Sequence, residues 1–256
     1  QNKYAAWKEP GLKLVSLTNK IENDMATVNA EYTMDAVKAK LYLTYTINNE
    51  GAVKVTQKMV ADKSAEVSDM FRFGMQLRMP VTFNEIEYYG RGPGENYIDR
   101  NASSFVDLYR TTADQMYTNN YVRPQENGHR TDTRWVELSR KGGKGLLIRA
   151  DNTIGFNALR NSVEDFDSEE AINRPRQWTN FTPEEIANHD EAKAKNVIRR
   201  MTHVNDITPR NFVEVCIDMK QQGVAGYDSW GDRPLPEHTL PANKEYHWGF
   251  TLMPIK

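Results

Sequence analysis

Cysteine is almost missing from this chain: Cys216 stands alone among 256 residues. One thiol cannot close an intrachain disulfide, and it excludes a structural zinc site built on several thiolates. Cys216 lies in Val213-Glu214-Val215-Cys216-Ile217, a strand-like run, so it is expected to be a buried thiol acting as a small hydrophobe. It does not fix a compartment, cytoplasmic or periplasmic, because disulfide-free proteins occur in both. Excess charge of one sign is also lacking, since 33 Lys+Arg against 35 Asp+Glu leave a net −2. That balance argues against nucleic acid or an anionic membrane as the main partner, because both select basic faces. No apolar run approaches the roughly 20 residues that cross a bilayer. With 15 glycines and 11 prolines the chain is no low-complexity polymer. It opens Gln1-Asn2-Lys3, without an initiator methionine or a basic-then-apolar leader, which suggests a piece of a longer polypeptide. What remains, 39% hydrophobic and 27% charged, is an ordinary globular composition.

The clearest pattern has period two. In Phe71-Arg72-Phe73-Gly74-Met75-Gln76-Leu77-Arg78-Met79 the large apolar residues fill every odd position, which predicts a strand with one buried and one wet face, ended by Pro80. Lys40–Ile47 and Val53–Thr56 flank Asn48-Asn49-Glu50-Gly51, a hairpin signal. Further strands are expected at Leu12–Leu17, Ala26–Tyr32, Ile86–Tyr89, Trp135–Leu138, Leu146–Ala150, Phe212–Met219 and Tyr246–Met253, with Gly142-Gly143 as a second turn. Helix signals are scarce. The good one is Phe181-Thr182-Pro183-Glu184-Glu185-Ile186, with a capping threonine, an early proline and a capping-box glutamate. Asn161–Asn180 is polar and irregular and reads as a long surface loop. Many strands with one or two short helices describe an all-β fold, a large antiparallel β-sandwich forming a single domain over residues 1–256. The alternating helices of a (β/α)₈ barrel are absent.

Catalytic signatures are missing too. No His-Glu-x-x-His, phosphate-cradling loop or Gly-x-Ser-x-Gly occurs, and His129, His189, His203, His238 and His247 are scattered. A retaining glycosidase needs two carboxylates about 5 to 5.5 Å apart. Glu85 with Glu87, Glu95 with Asp99, and Glu126 with Asp132 are poor candidates, so no catalytic residue is assigned. Three segments stand out instead. Tyr88–Arg100 packs aromatics, three glycines and Arg/acid combinations into one loop, and Tyr121–Trp135 is dense in donors and acceptors. Gly226-Tyr227-Asp228-Ser229-Trp230 sets an indole among polar groups, where it can serve as a stacking platform or fold back on the sandwich edge. The first two segments suit either buried arginines that fix long loops, or a polyol site in which planar polar groups pair with hydroxyls beside an aromatic face.

Three motifs carry a resemblance. They are Tyr88-Tyr89-Gly90-Arg91-Gly92-Pro93-x-Glu95-Asn96-Tyr97-x-Asp99-Arg100, then Tyr121-Val122-Arg123-Pro124-Gln125-Glu126-Asn127-Gly128-x-Arg130-Thr131-Asp132-x-Arg134, then Asp228-Ser229-Trp230. In this order they resemble the C-terminal domain of large β-galactosidases of glycoside hydrolase family 2. The resemblance implies a sandwich of the galactose mutarotase type, inactive alone, with both catalytic glutamates on a separate barrel. It implies β-galactoside sugars, that barrel and further copies of the enzyme as partners. Magnesium and sodium would belong to other domains, leaving no cofactor here. Trp230 matches the position of a sugar-stacking tryptophan, and Asp228, Glu126, Asn127, His129 and Arg130 are expected around the sugar. Two rivals remain. One is a stand-alone carbohydrate-binding or mutarotase-like domain, with Glu126 and His129 as its only local acid–base candidates. The other is a purely structural oligomerisation sandwich.

Overall fold

The computed structural model describes residues 5–166, 204–226 and 231–256. Within them eleven strands form one branched antiparallel assembly: β1 (Leu12–Glu22), β2 (Met25–Met34), β3 (Ala39–Ile47), β4 (Val53–Ala61), β5 (Arg72–Pro80), β6 (Glu85–Gly92), β7 (Phe105–Thr112), β8 (Arg130–Ser139), β9 (Gly145–Leu159), β10 (Phe212–Gln221) and β11 (Tyr246–Ile255). Two one-turn α-helices, α1 (Ala5–Lys8) and α2 (Ala113–Met116), and four short 3₁₀ turns complete the regular elements among the described residues. The main path runs β1-β2-β3-β4-β11-β9-β8-β6-β7. The 15-residue β9 pairs β11 along its first half and β10 along its second, and β5 completes that branch on the far side of β10. The last strand in the sequence is therefore inserted between two strands that precede it by about a hundred residues or more. The all-β sandwich expected from the sequence is the fold observed.

Local sequence explains the elements. At the predicted hairpin Asn48 Oδ1 accepts from the backbone of Glu50 (3.1 Å) and Ala52 (2.9 Å), while Gly51 takes φ 85°, a left-handed conformation that glycine adopts without strain. Gly142 and Gly143, both at positive φ, make the second turn. Every strand in the sequence reading is present, several of them longer. β7 is an addition: Phe105 and Leu108 are exposed, so this edge strand lacks the alternation that reveals its neighbours. The capped helix expected from Phe181 lies outside the described residues. The predicted surface loop from Asn161 is corrected at its start, because Asn161, Ser162 and Asp165 are buried. Asn161 donates to the Thr208 carbonyl (3.0 Å), and the Asp165 carboxylate accepts from Arg210 Nε (3.0 Å).

The core lies between the sheet layers and includes Tyr88, Phe156, Ile148, Ile217, Trp248 and Phe250. Tyr88 meets Phe156 edge-on at 5.2 Å, and Trp248 donates its indole N–H to Gln57 (2.8 Å). Each such side chain contributes roughly 1.5–3 kcal/mol by burial.

Candidate functional site

The second face of the β5–β10–β9 branch carries mostly polar side chains, with Leu159 of the core at one end. Antiparallel register sets Gln76, Cys216 and Asn157 in one row, and Arg78, Glu214 and Leu159 in another. In the next row beyond Cys216, Asp218 is flanked on both neighbouring strands by glycine, Gly74 and Gly155. The second glycine has a definite use. A Cβ on Gly155 would lie 2.5 Å from Cε1 and Nε2 of His129, so only glycine lets that imidazole lie flat against the sheet.

The result is a buried charged cluster. Arg72 Nη2 donates to Asp218 (2.7 Å) and to Gln221 (2.8 Å), while its Nη1 lies 3.8 Å from Glu126. His129 Nδ1 is 3.9 Å from Asp218, and its ring stacks on Tyr97 with centroids 5.5 Å apart. Burial pushes Asp218 up to about 6 despite Arg72. Burial, then Arg72 and Arg130, hold His129 well below its ordinary value, so it is neutral at pH 7. Burial likewise pushes the Cys216 thiol up to about 12. Several atoms here have no hydrogen-bond partner among the described residues: Arg72 Nε and Nη1, Glu126 Oε1, His129 Nδ1, Asn157 Oδ1 and the Tyr97 hydroxyl. Buried donors and acceptors are thus both left without a partner in one cluster.

The neighbouring cavity, lined in part by Glu126, Asn127, Asn157 and Cys216, measures about 10 Å³. That is space for a single water and not for a sugar ring.

Two loops close over this face. Glu95 accepts from the Tyr121 hydroxyl, from Arg100 (2.9 Å) and from the Gly128 N–H (2.8 Å). Asn96 Oδ1 accepts from Thr131 N–H (2.9 Å) and its hydroxyl (2.6 Å). The two motif segments of the sequence are thereby joined to one another. Arg91 strengthens the junction through Asp132 and the Ser104 carbonyl (2.7 Å).

The sequence-predicted site residues separate by role. Glu126 is half-buried and faces Arg72. His129 is 1% exposed, under Tyr97. Asn127 spends both ends of its amide on Thr118, accepting from its N–H (2.7 Å) and donating to its carbonyl (2.6 Å). Arg130 donates to the Tyr88 hydroxyl (3.1 Å) and the Gly128 carbonyl (3.0 Å), and so braces the loop from below. Asp228 and Trp230 lie outside the described residues. Their approach does not: β10 ends at Gln221, Gly223 N–H donates to the His238 carbonyl (2.8 Å), and Ala225 N–H donates to Asp99 (2.8 Å). The lead-in to residues 227–230 therefore starts at the cluster.

Sequence reasoning missed Arg72, Asp218, Gln221 and Tyr97. The first three sit on strands whose alternation marks them only as off the core face. The pairing of Arg72 with Asp218 spans 146 positions, beyond any local signal. Each weak carboxylate pair has a member engaged elsewhere: Glu87 by Arg110, Glu95 by Tyr121 and Arg100, Asp132 by Arg91.

Over residues 1–252 the sequence matches the family described as the β-galactosidase small chain. The chain belongs to that family. Among characterised relatives it is 29% identical over 251 residues to a β-galactosidase of Priestia megaterium, covering 97% of this chain and 21% of that protein. It is 26% identical over 255 residues to the β-galactosidase of Lactobacillus delbrueckii subsp. bulgaricus, covering 98% and 22%. The chain thus spans about a fifth of the length of these relatives. The solved α-galactosidase AgaA of Geobacillus stearothermophilus is 8% identical, with a TM-score of 0.42 over 96% of this chain and 28% of its own, which adds nothing to the assignment. Among the described residues no three His, Cys, Asp or Glu side chains come together as a metal site would require.

Proposed function

We propose that the chain is one domain, residues 1–256, of a family 2 β-galactosidase. In this reading it completes the galactoside-binding site and supports multidomain assembly of an oligomeric enzyme. Hydrolysis runs on a catalytic barrel elsewhere in the polypeptide, together with any magnesium or sodium. The observation that carries the reading is the small-chain family match over residues 1–252, with β-galactosidase relatives four to five times longer.

The chemistry is a division of labour. Trp230 offers an indole face to the apolar side of the galactoside, with Asp228 beside it for a hydroxyl. Glu126 and Arg72, half-buried and 3.8 Å apart, supply an acceptor and a donor. Asn127, Arg130 and neutral His129 act beneath them, holding the loop that presents Glu126.

The test uses the full-length enzyme. Trp230→Ala is expected to raise KM for a chromogenic β-galactoside several-fold, and Trp230→Phe to restore part of the loss. An unchanged KM in both variants overturns the sugar-stacking role. The 256-residue chain alone is expected to give no turnover; enzyme-like turnover that disappears with one of its carboxylates overturns the division of labour.

A further inference from the structure

The first strand is unusual in that all eleven of its residues are exposed. Its register explains why this matters. Leu12 faces Met34, Leu14 faces Tyr32, Leu17 faces Ala30 and Ile21 faces Ala26. Met34 and Ala30 are buried, and Met34 belongs to the hydrophobic core. Cross-strand partners share a face, so the four β1 residues continue the core side of the sheet past the point where the core ends. Leu12, Leu14, Leu17 and Ile21 are 51%, 54%, 61% and 78% exposed, and Met25 at the turn is 45% exposed. The opposite face of β1 carries Ser16, Thr18 and Lys20, the pattern of a wet surface. A row of large aliphatic side chains on the core side of a strand marks a surface that another body covers.

The occupant follows from three observations. The free edge of β1 is blunted by a bulge between Leu14 and Ser16 and by Lys13 and Lys20, devices that discourage strand addition. Coverage therefore comes onto the face of the sheet, and not edge to edge from a second copy. The nearest lysines, which the register sets on the opposite face, are paired within the chain, Lys13 with Asp35 (2.6 Å), Lys20 with Glu22 (2.5 Å) and Lys40 with Glu31 (3.0 Å), and the core-side row itself is interrupted only by the uncharged Asn19 opposite Val28. They call for no charged partner such as nucleic acid or a lipid headgroup. Finally, the relatives carry about four-fifths of their length outside the matched segment, so ample protein surface is tethered to the same molecule.

We infer that the core-side face of β1, Leu12, Leu14, Leu17 and Ile21 with Met25, is a docking surface for an apolar, weakly charged face of another domain of the same polypeptide. The inference rests on the reading of the chain as a domain of a larger enzyme. In that enzyme the overhang acts as an intramolecular clamp, extending one hydrophobic core into a neighbour.

Hydroxyl-radical footprinting of the full-length polypeptide tests it, with standards inside the chain. Phe105 and Leu108 are exposed on another edge, and Leu138 and Leu240 are fully buried. Leu17 and Ile21 are expected to react several-fold more slowly than Leu108 and to approach Leu138. Reactivity like that of Leu108 overturns the inference. Protection that disappears on dilution assigns the face to a second copy and overturns it as well. A photo-crosslinking residue at Ile21 is expected to capture a peptide from outside residues 1–256 of the same molecule; capture of a peptide from within them overturns it. A Leu17→Lys variant is expected to restore fast labelling at Ile21, while Thr18→Lys on the opposite face leaves it protected. Hydrolysis of a β-galactoside by the same preparation is read separately, so failure of the enzymatic reading and failure of the docking surface give different results.

Discussion

Nδ1 of His129 lies 3.9 Å from Oδ2 of Asp218, the same oxygen that accepts a hydrogen bond from Nη2 of Arg72. One buried carboxylate oxygen thus answers to a permanent cation and to an imidazole that burial keeps neutral. The loop bearing Glu126 is built on this arrangement.

Removing the cation exposes the cost. Arg72→Met leaves Asp218 buried without its partner, and loss of one member of a buried pair costs about 3–5 kcal/mol. The double variant Arg72→Met/Asp218→Leu is expected to recover much of that. Urea denaturation of the original protein, of each single variant (Arg72→Met and Asp218→Leu) and of the double variant measures it; a loss under about 1 kcal/mol in Arg72→Met contradicts the buried pair.

Gly155 makes a sharper prediction. Gly155→Ala drives a methyl group into the His129 ring, and overpacking of this kind costs about 1–3 kcal/mol. In a His129→Ala background the same substitution is expected to cost less, because the ring is gone. A double-mutant cycle reads the difference, and strict additivity would mean the two residues do not touch.

The pH dependence has a defined sign. Unfolded, His129 titrates near 6.5, whereas folded it titrates well below that. Between the two values the unfolded chain binds the extra proton, so this residue makes stability rise with pH up to about 6.5 and adds no slope above it. Asp218 does the opposite, since its folded value of about 6 exceeds its ordinary 3.8, and stability falls as pH climbs through that window. Denaturation of the original protein and of His129→Gln across pH 4 to 8 separates them. The stability difference, original minus variant, is expected to grow toward pH 6.5 and then level off.

Cys216 supplies a chemical readout. It is 4% exposed and its thiol is pushed up to about 12, so thiolate is scarce and inaccessible in the native state. Labelling by a thiol reagent at pH 8 is expected to follow the rate of opening and to accelerate in Arg72→Met. Rapid labelling of the native protein would contradict the burial.

How far the sequence reveals this fold can be judged from β5 and β7. The odd positions of Phe71–Met79 announce a strand because one side meets the core. Phe105–Thr112 stays hidden because it lies at an edge, where neither face is dry enough to impose alternation. The site follows the same rule. The two loops are conspicuous through their density of paired polar groups, and Glu126 and His129 stand within them. Their partners Arg72 and Asp218 occupy strands where a polar residue ordinarily means solvent. Only the pairing of β5 with β10 beneath a loop makes that face an interior, and no local pattern encodes a contact across 146 residues.

The position of β11 has a consequence for how the protein is made. It lies between β4 and β9, so a ribosome that has reached only residue 245 has synthesised ten of the eleven described strands with their central seam open. Val53–Ala61 and the first half of β9 then present unsatisfied backbone edges to solvent or to a chaperone. Closure of long-range pairs is slow because the chain entropy is lost before the contacts form. Nascent chains stalled before residue 246 are accordingly expected to be the species that proteases and holdases meet, and release of the final strand the event that ends that exposure.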